Sequence, residues 1–172
     1  MESHAKLFGH PAHPILVTLP IGAFTASVGF DIGFFVSRES AWADGAQWLI
    51  AGGVVSAAVA AVAGYIDYRA IPGGTRARRI GMLHGVGNAV VTALFLASWI
   101  VRRETPAEVT VVEAAISWGA FALSGLTAWL GGELVDRLGV GVSPDANLNA
   151  PNSLAPRRPR LQERDVPSIG RR

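Results

Sequence analysis

Four apolar runs, 15–36, 47–66, 80–101 and 111–134, decide what this chain can fold into. Each holds about 20 residues or more, and at about 1.5 Å of rise per residue each makes a helix long enough to cross a hydrocarbon core of about 30 Å. Charged residues make up only 16% of the chain, against about 25% in an average soluble protein. Lipid is therefore the expected solvent, and the expected architecture is an all-α transmembrane four-helix bundle over residues 1–140. The segment 141–172 is rich in Pro, Asn, Ser and Arg and lacks an apolar period, so it is expected to be disordered.

The first run also lies where a cleaved secretory signal would, with Ala41-Trp42-Ala43 as a small-residue cleavage pattern. Its length exceeds the roughly 7 to 15 residues of a signal's apolar region and it contains Asp31, so a retained helix is expected. Cysteine is absent. That excludes disulfides, thiolate metal sites and covalently attached c-type haem.

An even number of spans places the N-terminus, the loop between the second and third spans and the C-terminal tail on one side. That side carries Lys6, Arg69, Arg76, Arg78, Arg79, Arg137 and the tail arginines, whereas the opposite loops carry only Arg38, Arg102 and Arg103. Excess positive charge stays cytoplasmic, so both termini are expected to face the cytoplasm. The net charge of +2 and pI of 9.7 then reflect topology, and anionic lipid headgroups suffice as partners without nucleic acid. Arg157, Arg158, Arg160 and Arg164 make the tail either a lipid-binding or docking arm or simply a solvated segment.

Small residues recur along the spans, as Gly22, Ala26, Gly29 and Gly33 in the first and Gly53, Ala57, Ala60 and Gly64 in the second. Gly81 and Gly85 with Asn88 and Thr92, then Gly125, Ala128 and Gly132, continue the pattern in the third and fourth. Such stripes let lipid-embedded helices approach closely, and they serve a compact bundle and a homo-oligomer equally. The first and third spans begin beside a histidine, and the second and fourth end near an acid beside a glycine. This suggests a degenerate repeat of helix pairs.

Polar residues are few, and topology gathers most of them at the cytoplasmic interface: His10, His13, Asp67, His84, Asn88, Glu133 and Asp136. Proline follows both His10 and His13 and disfavours helical φ/ψ there, which fixes these imidazoles in an extended or turned segment. His84 and Asn88 lie four apart and share a helix face. Two readings stay open. The histidines are a preorganised ligand pair, or they are a rigid cap whose N–H groups satisfy carbonyls or a carboxylate such as Asp67. As ligands they suit zinc or non-haem iron beside a carboxylate, or haem b held by His10 or His13 with His84, where Gly85 and Gly87 would leave room for the macrocycle.

Asp31 lies inside the far end of the first span, where an unpaired carboxylate costs up to about 2.5 to 3.5 kcal/mol. Arg102 or Arg103 is its expected partner. A proton path from Asp31 to His84 would have only Ser, Thr and Asn88 to run through. The segment 71–79 reads as a tight cytoplasmic turn with basic residues, since its glycines lack the Lys-Ser/Thr ending of a phosphate loop. No nucleophile elbow or H-E-x-x-H motif is present, and no catalytic residues are expected.

Phe8-Gly9-His10-Pro11-Ala12-His13-Pro14, Leu19-Pro20-Ile21-Gly22, Gly64-Tyr65-Ile66-Asp67, Ile71-Pro72-Gly73-Gly74-Thr75, Gly81-Met82-Leu83-His84-Gly85 and Trp129-Leu130-Gly131-Gly132-Glu133 together resemble the bacterial membrane proteins grouped as domain of unknown function 2231. The likeness covers about residues 5 to 155. It implies a four-span inner-membrane protein with no assigned reaction, and the association of some relatives with redox domains leans toward haem. The leading expectation is a structural or accessory membrane component; the alternatives are a b-type haem electron carrier with redox partners and a small-solute or proton transporter.

Overall fold

A computed structural model describes residues 1–104 and 107–154. A short antiparallel hairpin opens the chain, β1 (Lys6–Leu7) paired with β2 (His10–Pro11). Phe8 and Gly9 connect the strands with φ of 50° and 81°, the left-handed pair that a two-residue hairpin turn requires. The helices follow as α1 (Ala12–Leu16), α2 (Thr18–Ser37), α3 (Ser40–Ala70), α4 (Arg76–Arg102) and α5 (Val111–Gly132), and a π-helical turn, Glu133–Arg137, ends the bundle. Four spans are long and apolar enough to cross a membrane, α1 and α2 acting as one from Ala12 to Ser37.

The second span runs from Ser40 to Ala70, seven residues earlier and four later than the apolar run 47–66, and the first and third spans need corrections as well. His13 is not held outside the first helix: it lies within α1, because Pro14 falls in a first turn whose N–H groups have no intrahelical partner to lose. The span is irregular at Val17 instead, where Pro20 has no N–H for the Leu16 carbonyl, while Val17 N–H still reaches His13 O at 3.0 Å. The third span starts at Arg76, four residues early, since Thr75 accepts from Arg78 N–H through its hydroxyl as an N-cap. The Arg78 guanidinium then donates to the Tyr68 and Ile71 carbonyls at the end of α3 and closes the tight turn. Thr110 and Glu113 form a reciprocal capping box at the start of α5. Residues 141–154 follow the bundle as turns, and Ser153 returns to the hairpin beside Gly9. The rest of the tail, with its arginines, lies outside the described residues.

α2 packs chiefly on α3, α4 chiefly on α5, and α3 also meets α4. The two helix pairs repeat one another. Shifting the buried positions Pro20, Phe24, Ser27 and Asp31 of α2 by 71 gives Val91, Phe95, Ser98 and Arg102, which are buried in α4. Shifting Ala46, Ile50, Gly53 and Ala60 of α3 by 67 gives Glu113, Ser117, Ala120 and Thr127, which are buried in α5. Equivalent residues also touch: His13 meets His84, Phe24 stacks on Phe95, and Asp31 bonds Arg102. α2 and α4 therefore face each other across a pseudo-twofold axis running along the bundle. The sequence pattern likens Asp67 beside Gly64 to Glu133 and Asp136 beside Gly132, but the register sets Asp67 at the position equivalent to Leu134 and Gly64 at that of Gly131.

Part of the small-residue pattern seats side chains. A Cβ on Gly33 would meet the Trp42 ring at 2.7 Å, one on Gly53 the Phe24 ring at 2.4 Å, and one on Gly64 the His13 ring at 2.9 Å. Gly22, Gly29, Gly85 and Gly125 have nothing within 4 Å, so these parts of the expected stripes do not pack inside the bundle. Large apolar side chains such as Leu19, Ile21, Trp48, Val55, Val62, Val86 and Trp129 point outward, which is the arrangement that lipid, unlike water, rewards.

Candidate functional site

Three side-chain pairs meet on the axis. At one end His13, on α1, and His84, in the third turn of α4, place their rings 6.2 Å apart between centroids at 86°. His13 Nδ1 lies 2.9 Å from the carbonyl of Ala60, and His84 Nδ1 lies 2.9 Å from that of Thr127. A carbonyl only accepts, so each Nδ1 carries the proton and each Nε2 presents a lone pair. The seats match as well, Gly64 under the His13 ring and Gly131, whose Cβ would fall 3.0 Å from it, under the His84 ring. Asn88 donates to the His84 carbonyl at 2.8 Å and accepts from the Thr127 hydroxyl at 3.0 Å. Its amide nitrogen stands 3.4 Å from both nitrogens of His84. With Nδ1 protonated only Nε2 can accept, and at 3.4 Å, off to the side toward Nδ1, that contact is long and poorly aligned.

The other expected members of this cluster are engaged separately. Asp67 holds the N-terminal strap: its carboxylate accepts from the Ser3 hydroxyl at 2.8 and 2.9 Å and from the N–H groups of His4 and Ala5 at 2.7 and 3.1 Å. Glu133 accepts from Arg76 at 2.6 Å. Asp136 sits exposed in the π-helical turn with its carboxylate toward Gly132. His10 is exposed on β2, with Nε2 3.2 Å from the Ser153 hydroxyl. Of the three candidate ligands, only His13 and His84 come together. Among the described residues, no group of three or more His, Cys, Asp or Glu side chains converges as a metal site.

At the opposite end the pairing expected for Asp31 resolves in favour of Arg102. Arg102 donates Nη1 to Oδ1 and Nη2 to Oδ2, both at 2.8 Å, in a fork that matches the carboxylate. Both residues are buried, and two serines complete the coordination. Ser117 donates to Asp31 Oδ2 at 3.0 Å, while Ser98 accepts from Arg102 Nε at 3.2 Å and donates to the Glu113 carbonyl at 2.9 Å. Arg103 lies outside the pair, over the Trp99 ring. No buried side-chain polar atom among the described residues lacks a partner.

Between these two polar ends the axis is apolar. Phe24 and Phe95 stack with centroids 3.9 Å apart and planes within 2°, surrounded by Ile50, Val91 and Ala120. An outward-facing groove of about 520 Å³ runs along Leu19, Trp48, Gly52 and Val55, and no histidine lines it.

Thr127, Ser98, Ser117 and Ser3 were not singled out by sequence. Hydroxyls within apolar spans are common and readily bond their own helix, so only the third dimension distinguishes those that reach a polar side chain elsewhere. The 71-residue shift that relates Asp31 to Arg102 also relates Ser27 to Ser98, and it is the signal that would have found Ser98.

The chain belongs to the family of predicted membrane proteins described as domain of unknown function 2231, which matches residues 9–144. No curated protein and no solved structure matches it.

Proposed function

We propose, from that membership and the geometry of the axis, that this protein is a structural or accessory component of a bacterial inner membrane rather than a transporter. The observation that carries this reading is the stacked Phe24 and Phe95 pair, which separates the two polar ends with a well-packed apolar layer. Alternating access needs a polar site near mid-depth, formed by irregular or broken helices. Here α3, α4 and α5 are regular through their middle turns. The expected outcome in proteoliposomes is no proton or small-solute flux above that of empty vesicles, with no rise on Phe24→Ala. Flux abolished by Asp31→Asn would overturn the reading.

Both termini facing the cytoplasm is part of the same proposal. Burial of Arg102 in the ion pair removes it from the loop charges, which leaves Arg38 and Arg103 against the basic residues of the opposite side. A cysteine introduced at Ser153 is expected to resist a membrane-impermeant thiol reagent in intact cells.

Haem b is a second reading, favoured by the facing rings of His13 and His84. The close seats at Gly64 and Gly131 and the Asn88 amide beside His84 work against it, because a macrocycle between the rings would have to displace them. A Soret band in protein purified from haem-replete cells, lost in His84→Ala, would establish it.

A further inference from the structure

We propose that His13 and His84 form a linear two-coordinate site for monovalent copper at the end of the bundle axis. The inference stands apart from the accessory reading and uses the same histidines as the haem reading without the macrocycle.

The tautomers come first. Each Nδ1–H is fixed on a backbone carbonyl, Ala60 for one ring and Thr127 for the other. This is the outer contact that orients a metal-binding imidazole and leaves Nε2 as the ligand atom. The two carbonyls belong to α3 and α5, which the pseudo-twofold relates, so each ring turns its Nδ1 edge to its own partner helix and leaves its Nε2 lone pair outside that bond. Among the described residues no hydrogen bond engages His13 Nε2, and the contact of the Asn88 amide with His84 Nε2 is long and poorly aligned.

Distance and charge then select the ion. Two metal–nitrogen bonds of about 2 Å, with the ring radius added at each end, span a centroid separation like the 6.2 Å seen here. Rings at 86° avoid each other across such a bridge. Zinc takes four ligands, and the described residues supply no third His, Cys, Asp or Glu here. Two neutral donors also offer no negative charge to offset a divalent ion in an apolar setting. Monovalent copper, a filled-shell ion content with two imidazole nitrogens in line, asks for the least. The duplicated environment agrees: histidine, carbonyl and glycine recur at equivalent positions of both halves, where the Asp31 and Arg102 positions have diverged to opposite charges.

The test uses the full-length protein in detergent under anaerobic conditions, titrated with Cu(I) against a chromogenic chelator. One equivalent is expected to bind, with at least a 100-fold loss of affinity in His13→Ala and in His84→Ala and no change in His10→Ala. X-ray absorption of the wild-type protein loaded with Cu(I) is expected to show two imidazole nitrogens and no third ligand, a readout that survives if either alanine variant fails to fold. Binding retained in the folded double variant, a three- or four-ligand spectrum, zinc bound as tightly as copper, or no binding at all would each overturn the proposal. So would a stoichiometric haem between these rings in the protein as isolated.

Discussion

The two ends of the axis began from equivalent positions and solve the same problem differently. At the His13 and His84 end both halves keep the same residue, and each imidazole is satisfied by its own helix pair, through Ala60 O and Thr127 O. At the Asp31 and Arg102 end the equivalent residues carry opposite charges and satisfy each other across the axis. Identical residues on a twofold cannot be donor and acceptor to one another without breaking the symmetry, so the histidine end keeps two lone pairs in reserve. The Asp31 and Arg102 end has none. One end is thereby suited to an added group, and the other to holding the halves together.

The largest effect is expected from breaking the closed end. Arg102→Ala or Asp31→Ala leaves a buried charge without its partner, at a cost of about 3 to 5 kcal/mol, read as a fall in the denaturation midpoint of the detergent-solubilised protein. Replacing both at once, Asp31→Leu with Arg102→Met, is expected to recover most of that loss, because two desolvated ions are removed together. The exchange Asp31→Arg with Arg102→Asp sharpens the comparison. A perfect twofold would make it silent, but the equivalent of Ser117 is Ile50 and the exchanged carboxylate would lose that hydroxyl. Intermediate stability is the expected result.

The four spans were legible because apolar length is set by the bilayer and little else competes with it. The partner of Asp31 was legible for a related reason: a carboxylate inside a span needs a cation, and only Arg102 and Arg103 lay at the right depth. The repeat was only glimpsed, since the shift falls from 71 in the first helix of each pair to 67 in the second, and the Asp-to-Arg change hides the strongest correspondence. The candidate cluster was read too broadly. Proximity to one interface gathered seven residues, but Asp67 is taken by the backbone N–H groups of the N-terminal strap and Glu133 by Arg76, contacts that depend on how loops fold back. The effect of Pro14 was misjudged because the rule for residues before proline gave way to the free N–H groups of a helix's first turn.

Opening the middle of the axis is expected to matter next. Phe95→Ala removes one ring of the stack and leaves a void beside Phe24; about 2 to 3 kcal/mol is expected, below the usual range for a buried Phe because lipid lessens the transfer contribution. Unfolding by a denaturing detergent would measure it. A loss equal to that of an outward-facing control such as Val55→Ala would deny the stack its role.

The histidine end can be disturbed without touching a histidine. In Gly64→Ala the new Cβ falls 2.9 Å from the His13 ring, and in Gly131→Ala 3.0 Å from the His84 ring. Each is expected to push its ring from the carbonyl it bonds, costing about 1 kcal/mol for the hydrogen bond. Because the two seats are equivalent, the losses should agree closely in the same denaturation assay. A large effect at one glycine and none at the other would break the symmetry argued for this end.

The smallest expected effect isolates what the halves do not share. Thr127 donates its hydroxyl to Asn88 Oδ1, whereas its counterpart Ala60 has no hydroxyl and the residue that corresponds to Asn88 is Val17. Thr127→Val keeps the shape, removes this one interhelical bond, and leaves the carbonyl to which His84 is fixed. Hydrogen bonds between membrane helices average about 0.6 kcal/mol, and a loss of that order is expected. If the His84 ring were held through Asn88 instead of through the Thr127 carbonyl, the variant would lose far more, and its imidazole nitrogen resonances would report the changed tautomer. Resonances unchanged beside a small loss of stability would place the fixing of both histidines in the backbone, where the two halves are alike.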